Sequence, residues 1–311
     1  MIFLTTLRAV AILLLTALPG YLFIKKKVIS EACIPGFSKV LVFVTQPCLA
    51  VYTFKSTEYS LEKLIDVGIF ALITVAIHII MIGAAFLILR KKYKTAIYRV
   101  MTFAVGSANC AFFGIPIIES LMPSIAPDVI IFTTVYALVM NLIGWTVGSA
   151  IMAQDMKYIS IKKILVNPAL LGTVVALILF IFEIPLQADL GSMITTAARM
   201  ATPLSMLIMG MRLGTMRFLP MFTNVRVYAT VVAKQILMPL AALLLVIFLP
   251  VSVELKSVFF IITACPVASV TLNYAEMVGE GQEEAASMLL VSTMLSILTL
   301  PLMMLLLPLL A

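Results

Sequence analysis

Long stretches without a single charge dominate this chain and limit what it can become. Val100 to Ile118, Val129 to Gln154, Ile164 to Phe182, Gln235 to Val253, Ser257 to Ala275 and Ala285 to Ala311 contain no charged residue and no histidine. A helix needs roughly 20 apolar residues to cross a hydrocarbon core of about 30 Å, and each run is long enough. Water-soluble helices would show a polar face at the helical period, which these runs lack. Composition agrees, with 63% hydrophobic and 11% charged residues, against about a quarter charged in soluble domains. The expected class is an all-α integral membrane protein.

Hydropathy places ten transmembrane helices, at 4–24, 34–54, 66–89, 100–121, 129–152, 164–182, 190–211, 226–249, 256–275 and 285–308. The first is read as a membrane helix and not a cleaved leader, because Arg8 interrupts its start and Lys25, Lys26 and Lys27 follow it. The net charge of +7 sits in short loops between apolar runs, which argues against nucleic acid as a partner. Loops 1-2, 3-4, 5-6 and 7-8 carry Lys25 to Lys27; Arg90, Lys91, Lys92, Lys94 and Arg99; Lys157, Lys162 and Lys163; and Arg212, Arg217 and Arg226. The even loops carry Lys55, Lys63 and Lys256. The positive-inside rule therefore predicts a multi-pass protein of the cell membrane with both termini outside. The loop after span 9 is an exception, holding Glu276, Glu280, Glu283 and Glu284 without a cation. Cys33, Cys48, Cys110 and Cys265 show no ligand-like spacing, so no disulfide, metal or cofactor is expected.

A shift of 156 positions lays spans 1 to 5 onto spans 6 to 10, carrying 4–24 to 160–180 and 129–152 to 285–308. Five crossings reverse the second copy, so the expected organisation is two inverted five-helix repeats, 1–155 and 156–311. Pro47 falls on Pro203 and His78 on Lys234. Inverted repeats of this kind mark secondary transporters, in which two halves open a central site to either side.

One span in each half resists reading as a continuous helix. Span 4 contains Gly106-Ser107-Ala108-Asn109-Cys110-Ala111-Phe112-Phe113-Gly114-Ile115-Pro116, and span 9 contains Ala264-Cys265-Pro266-Val267-Ala268-Ser269-Val270-Thr271-Leu272-Asn273. Proline lacks a backbone donor, and glycine and asparagine tolerate unwound backbone. Paired breaks point to a binding site, here Asn109, Cys110, Gly114, Pro116, Cys265, Pro266, Ser269 and Asn273. If the breaks cross, two half-helix N-termini aim their free amides at one cavity, a receptor for a carboxylate. The alternative is that these prolines only kink packed helices.

These residues resemble the auxin efflux carrier family, which includes plant PIN-type exporters and bacterial malate and malonate permeases. The resemblance covers essentially the whole chain. Its most specific parts are Asn109 to Pro116, the run Pro203-Leu204-Ser205-Met206-Leu207-Ile208-Met209-Gly210, Ala264-Cys265-Pro266, Ser292 to Ser296, and Pro301. It implies a scaffold of spans 1, 2, 6 and 7, a moving unit of the other six, crossed spans 4 and 9 holding a small organic anion, an elevator-type motion and a homodimer through the scaffold. The plant exporters carry Asn-Pro-Asn-x-Tyr at the start of span 6, where this chain reads Asn167-Pro168-Ala169-Leu170-Leu171. The departure points to a mono- or dicarboxylate before an auxin-like acid.

His78 and Lys234 lie near the middle of apolar spans, where a charge costs at least ~2.5 kcal/mol and is usually functional. A histidine can carry a proton near neutral pH, and a lysine can supply the positive charge that a sodium ion supplies in related folds. The bland readings are a packed histidine and a snorkelling lysine. Lys39 and Arg199 either face the substrate carboxylate or reach an interface. Gln46, Tyr136 and Asn141 either line the cavity or join helices by hydrogen bonds. Gly144-Trp145-Thr146-Val147-Gly148 and Gly210-Met211-Arg212-Leu213-Gly214 fit close helix packing. An enzyme is disfavoured, because the spans hold no acidic pair, no HExxH and a single histidine. A channel and a membrane sensor are the remaining alternatives to a carrier of small organic anions.

Overall fold

The computed structural model describes residues 1–155, 167–216 and 218–310. Lys157, Lys162, Lys163, Arg217, the first positions of predicted span 6 and the boundary between the two predicted repeats fall outside them. In chain order the helices are α1 (Ile2–Lys25), α2 (Glu31–Lys55), α3 (Leu61–Leu89), α4 (Ala96–Ala104), α5 (Cys110–Leu121), α6 (Ala126–Ala153), α7 (Pro168–Ile181), α8 (Ala188–Arg199), α9 (Ala201–Thr215), α10 (Phe218–Thr223), α11 (Val225–Val246), α12 (Val253–Ala264), α13 (Val270–Val278) and α14 (Gln282–Met304). Among the described residues six are long and apolar enough to cross a membrane: α1, α2, α3, α6, α11 and α14.

Local chemistry sets many of the helix ends. Ser60, Ser252, Asn167 and Asn224 lie just before α3, α12, α7 and α11, and each side-chain oxygen accepts an amide of the first turn. Pro168 then occupies the first helical position of α7, where no amide donor is needed. Four helices widen into a π-helical turn among the described residues, at Leu41–Thr45, Cys110–Gly114, Gly144–Gly148 and Ala233–Leu237. All but Gly144–Gly148 are followed two residues later by a proline, Pro47, Pro116 or Pro239. The proline ring crowds the carbonyl one turn back, and a wider turn relieves that clash without ending the helix.

Predicted spans 4 and 9 are each divided, into α4 and α5 and into α12 and α13. Predicted span 7 is divided as well, contrary to the single helix expected over 190–211. A turn at Met200 separates α8 from α9. The cause is Pro203, whose ring would strike the carbonyl of Arg199 in a continuous helix.

α1 packs along α9, and the second half of α2 packs on α7 and α8. α3 packs on α6, and α11 packs on α12 and α14. At the α1–α9 contact the backbones nearly touch: a Cβ at Gly210 would lie 1.8 Å from the Ala17 carbonyl oxygen, and one at Gly20 would lie 2.0 Å from that of Leu207. A Cβ at Gly144 or Gly148 would strike Tyr274 or Phe103. Both small-residue motifs therefore serve packing within one chain.

Glu276 and Glu280, in the acidic stretch that broke the loop-charge pattern, pair with cations of the basic loops. Arg212 donates to Glu276 at 2.7 Å, and Arg99 pairs with Glu280 while donating to the Met152 carbonyl at 2.9 Å. The loop between α13 and α14 thus lies on the same side as the basic loops after α3 and α9.

Gly210→Val should lower the thermal midpoint of the purified protein by several degrees, through about 1–3 kcal/mol of overpacking. Gly68→Ala, where an added Cβ meets nothing within 4 Å, should not lower it, since alanine is the better helix former.

Candidate functional site

The unwound segments between α4 and α5 and between α12 and α13 meet. The Asn109 amide donates to the Pro266 carbonyl at 2.8 Å, and the Ala268 amide donates to the Ser107 carbonyl at 3.3 Å. Ala108 and Val267 thereby form one antiparallel bridge. The Ser107 and Thr271 hydroxyls, 2.6 Å apart, add a second tie. The Ser292 hydroxyl of α14 accepts the Val267 amide at 3.1 Å. Peptide groups opened by the breaks are thus satisfied by one another and by a neighbouring helix, as a water-free setting demands.

Beside the bridge lies a cavity of about 140 Å³. Asn109, Cys110, Ser269 and Asn273 line it, together with Gln46 of α2 and Asn141 of α6. Asn109 precedes α5 and Ser269 precedes α13, and neither side chain caps its own helix. Of their first amides, that of Cys110 donates to the Ala108 carbonyl at 2.8 Å and that of Thr271 to the Ala268 carbonyl at 3.2 Å, and the other amides of each first turn give the helix end its positive pole. Each helix N-terminus carries about half an elementary charge, so the pair presents roughly one positive charge to the cavity.

Not every residue of the predicted site reaches this cavity. The Pro266 carbonyl is consumed in the bridge. Pro116 lies in the first turn of the α-helical part of α5, and Gly114 lies against Cys265, whose sulfur would be 3.6 Å from an added Cβ. These four shape the breaks and do not line the cavity. Lys39 and Arg199 are exposed and do not line it either. Asn167, Trp145 and Tyr274 do line it. Asn167 was visible only as half of a family motif, and nothing in the spacing marked Trp145 as facing a site.

His78 and Lys234 each sit behind one break. Lys234 is fully buried, and its Nζ donates to the Thr263 and Cys265 carbonyls, both at 2.7 Å. It neutralises the negative end of α12 where the helix stops, and it does not snorkel. His78, also buried, lies against the first break: a Cβ on Gly106 would be 3.6 Å from its ring. Its Nδ1 is 2.7 Å from the Thr74 carbonyl, which can only accept, so Nδ1 carries the proton and Nε2 is left for an exchangeable one. Nε2 has no partner among the described residues, and neither has the Tyr136 hydroxyl, whose ring centroid is 5.2 Å from that of His78. Gln235, beside Lys234, has both amide atoms buried and unpartnered among the described residues, a feature its sequence position did not suggest.

The sequence profile of a family described as membrane transport protein matches the chain over residues 5–162 and 152–304. No curated protein matches it.

Lys234→Met strips two buried carbonyls of their donor and should cost about 1–3 kcal/mol per unsatisfied group. Thermal unfolding in detergent should show a midpoint several degrees lower. Asn109→Ala, which removes no side-chain hydrogen bond seen among the described residues, should unfold close to the parent.

Proposed function

The chain belongs to the membrane transport protein family, the auxin efflux carrier-like transporters, and on that premise we propose that it is a secondary active carrier of a small organic anion. The observation that carries this reading is the pair of helix N-termini converging beside the Ala108–Val267 bridge, with Asn109 and Ser269 free of capping duties. Their combined field, about one positive charge, favours one carboxylate. Gln46, Asn141, Asn167 and Asn273 supply neutral donors for a second carboxylate or a hydroxyl. The cavity, about 140 Å³, is well below the roughly 300–1,000 Å³ of sites for drug-sized ligands. This favours a mono- or dicarboxylate of a few carbons over an indole acid.

Ten spans in two inverted repeats give the motion its frame. α1, α2, α7, α8 and α9 form the scaffold, and the remaining helices carry the bridge as a moving unit. The cavity lies on the seam, since Gln46 and Asn167 come from the first set and Asn109, Asn141 and Ser269 from the second. An elevator-type displacement of the second set would carry the anion from one face to the other. Lys234, bound to the backbone at the end of α12, acts as a built-in cation, so no sodium ion is required. His78, with a bare Nε2, carries the coupling proton.

Uptake of radiolabelled malate, malonate and indole-3-acetate into proteoliposomes, under imposed proton or sodium gradients, tests this. Saturable uptake of a small dicarboxylate is expected. It should be driven by a proton gradient, indifferent to sodium, at least tenfold lower in Asn109→Ala and insensitive to the proton gradient in His78→Gln. A sodium requirement would contradict the role of Lys234, and undiminished uptake by folded Asn109→Ala would contradict the site.

A further inference from the structure

A second concave region is a groove of about 990 Å³ between α3 and α6. Ile79, Ile82 and Phe86 form one wall, and Val147 and Ile151 form the other. Ile79 is 66% exposed and Val147 49% exposed, so the walls are greasy surface facing outward. The lining runs from Val75 and His78 at one end to Arg90, Tyr93, Gln154 and Asp155 at the other. His78 and Arg90 are twelve positions apart on the same helical path, roughly 18 Å at about 1.5 Å per residue. That matches one leaflet of a hydrocarbon core of about 30 Å.

The two ends differ in chemistry. Gln154 donates to the Tyr93 carbonyl at 2.8 Å, which fixes the floor of the mouth, and Asp155 is already engaged. The Arg90 side chain is exposed and has no ion pair or hydrogen-bond partner among the described residues. Lys91 and Lys94, exposed beside it, have no ion pair there either. Lys92 lies over the Tyr98 ring. An apolar slot one leaflet long, ending in unpaired cations, is complementary to a molecule with a long hydrocarbon tail and an anionic head.

We infer that this groove binds an anionic glycerophospholipid, one acyl chain lying between α3 and α6 and its phosphate resting on Arg90 and the adjacent lysines. The groove shares no residue with the cavity at the bridge and only His78 with the proposed coupling machinery, so the inference stands whatever anion is carried. A membrane-facing groove would attract any lipid tail, and the selectivity for an anionic head is what the cations add. Lipid wedged between α3 and α6 would hold two helices of the proposed moving unit together.

Gly83 gives a means of testing this. It lines the groove, and a Cβ there would meet nothing within 4 Å, so Gly83→Phe fills the slot without striking the backbone. The delipidated full chain in detergent is offered phosphatidylglycerol or phosphatidylcholine with identical acyl chains. Bound lipid is counted by native mass spectrometry, and the thermal midpoint is recorded. Phosphatidylglycerol should be retained at least tenfold better than phosphatidylcholine and should raise the midpoint further. Arg90→Gln combined with Lys91→Gln and Lys94→Gln should erase the preference, and Gly83→Phe should erase retention without lowering the lipid-free midpoint. Equal retention of the two lipids by the parent chain overturns the proposal, as does unchanged retention by Gly83→Phe. Should Gly83→Phe fail to fold, the exposed triple variant decides alone: an undiminished preference overturns it.

Discussion

A peptide group opened inside hydrocarbon has no water to turn to, and in this protein two opened segments turn to each other. The bonds from Asn109 to Pro266 and from Ala268 to Ser107 let two helices stop in the interior of the fold without stranding their backbone. Everything distinctive about the site follows from that meeting. The helix ends that leave the bridge present their amide termini to one small cavity, and the helix ends that arrive bring their negative poles to the same region. Lys234 answers one of those poles directly, through the Thr263 and Cys265 carbonyls.

The bridge also explains why ionisable groups are tolerated in such apolar helices. Lys234 does not float in the interior as a free charge; it completes the hydrogen bonding of a broken helix. His78 holds the corresponding place behind the other break, where the backbone is already satisfied by the bridge. Its free Nε2 is therefore spare capacity, whereas the lysine is a structural necessity with an electrostatic consequence. Lys234 stabilises the crossing, and the role proposed for His78 is to respond to protons.

Much of this was legible in the sequence, because membrane helices announce themselves by length and their interruptions by residue type. The breaks at Asn109 and Pro266 were visible as clusters of glycine, asparagine and proline in otherwise apolar spans. The turn at Met200 escaped notice, since Pro203 alone in an apolar run can also be absorbed by a wide turn, as Pro47 is. The acceptors of Lys234 were illegible, because they are backbone carbonyls about thirty residues away and carry no side-chain signature. Gln46 and Asn141 stood out in the sequence as polar groups that either line a cavity or join helices, and both line it; Trp145, unremarkable within its own helix, carried no such signal. The acidic loop after α13 looked anomalous by loop charge and proved to be a partner of Arg99 and Arg212.

A carrier of the proposed kind must receive the carboxylate in the cavity beside the Ala108–Val267 bridge. A cryo-electron microscopy structure of the full chain in lipid nanodiscs, determined with the transported acid at saturation, tests it most directly. Density for the acid is expected between Asn109, Ser269 and Asn273, with a carboxylate facing the N-terminal ends of α5 and α13. An acid bound elsewhere, with that cavity unfilled at saturation, would contradict it.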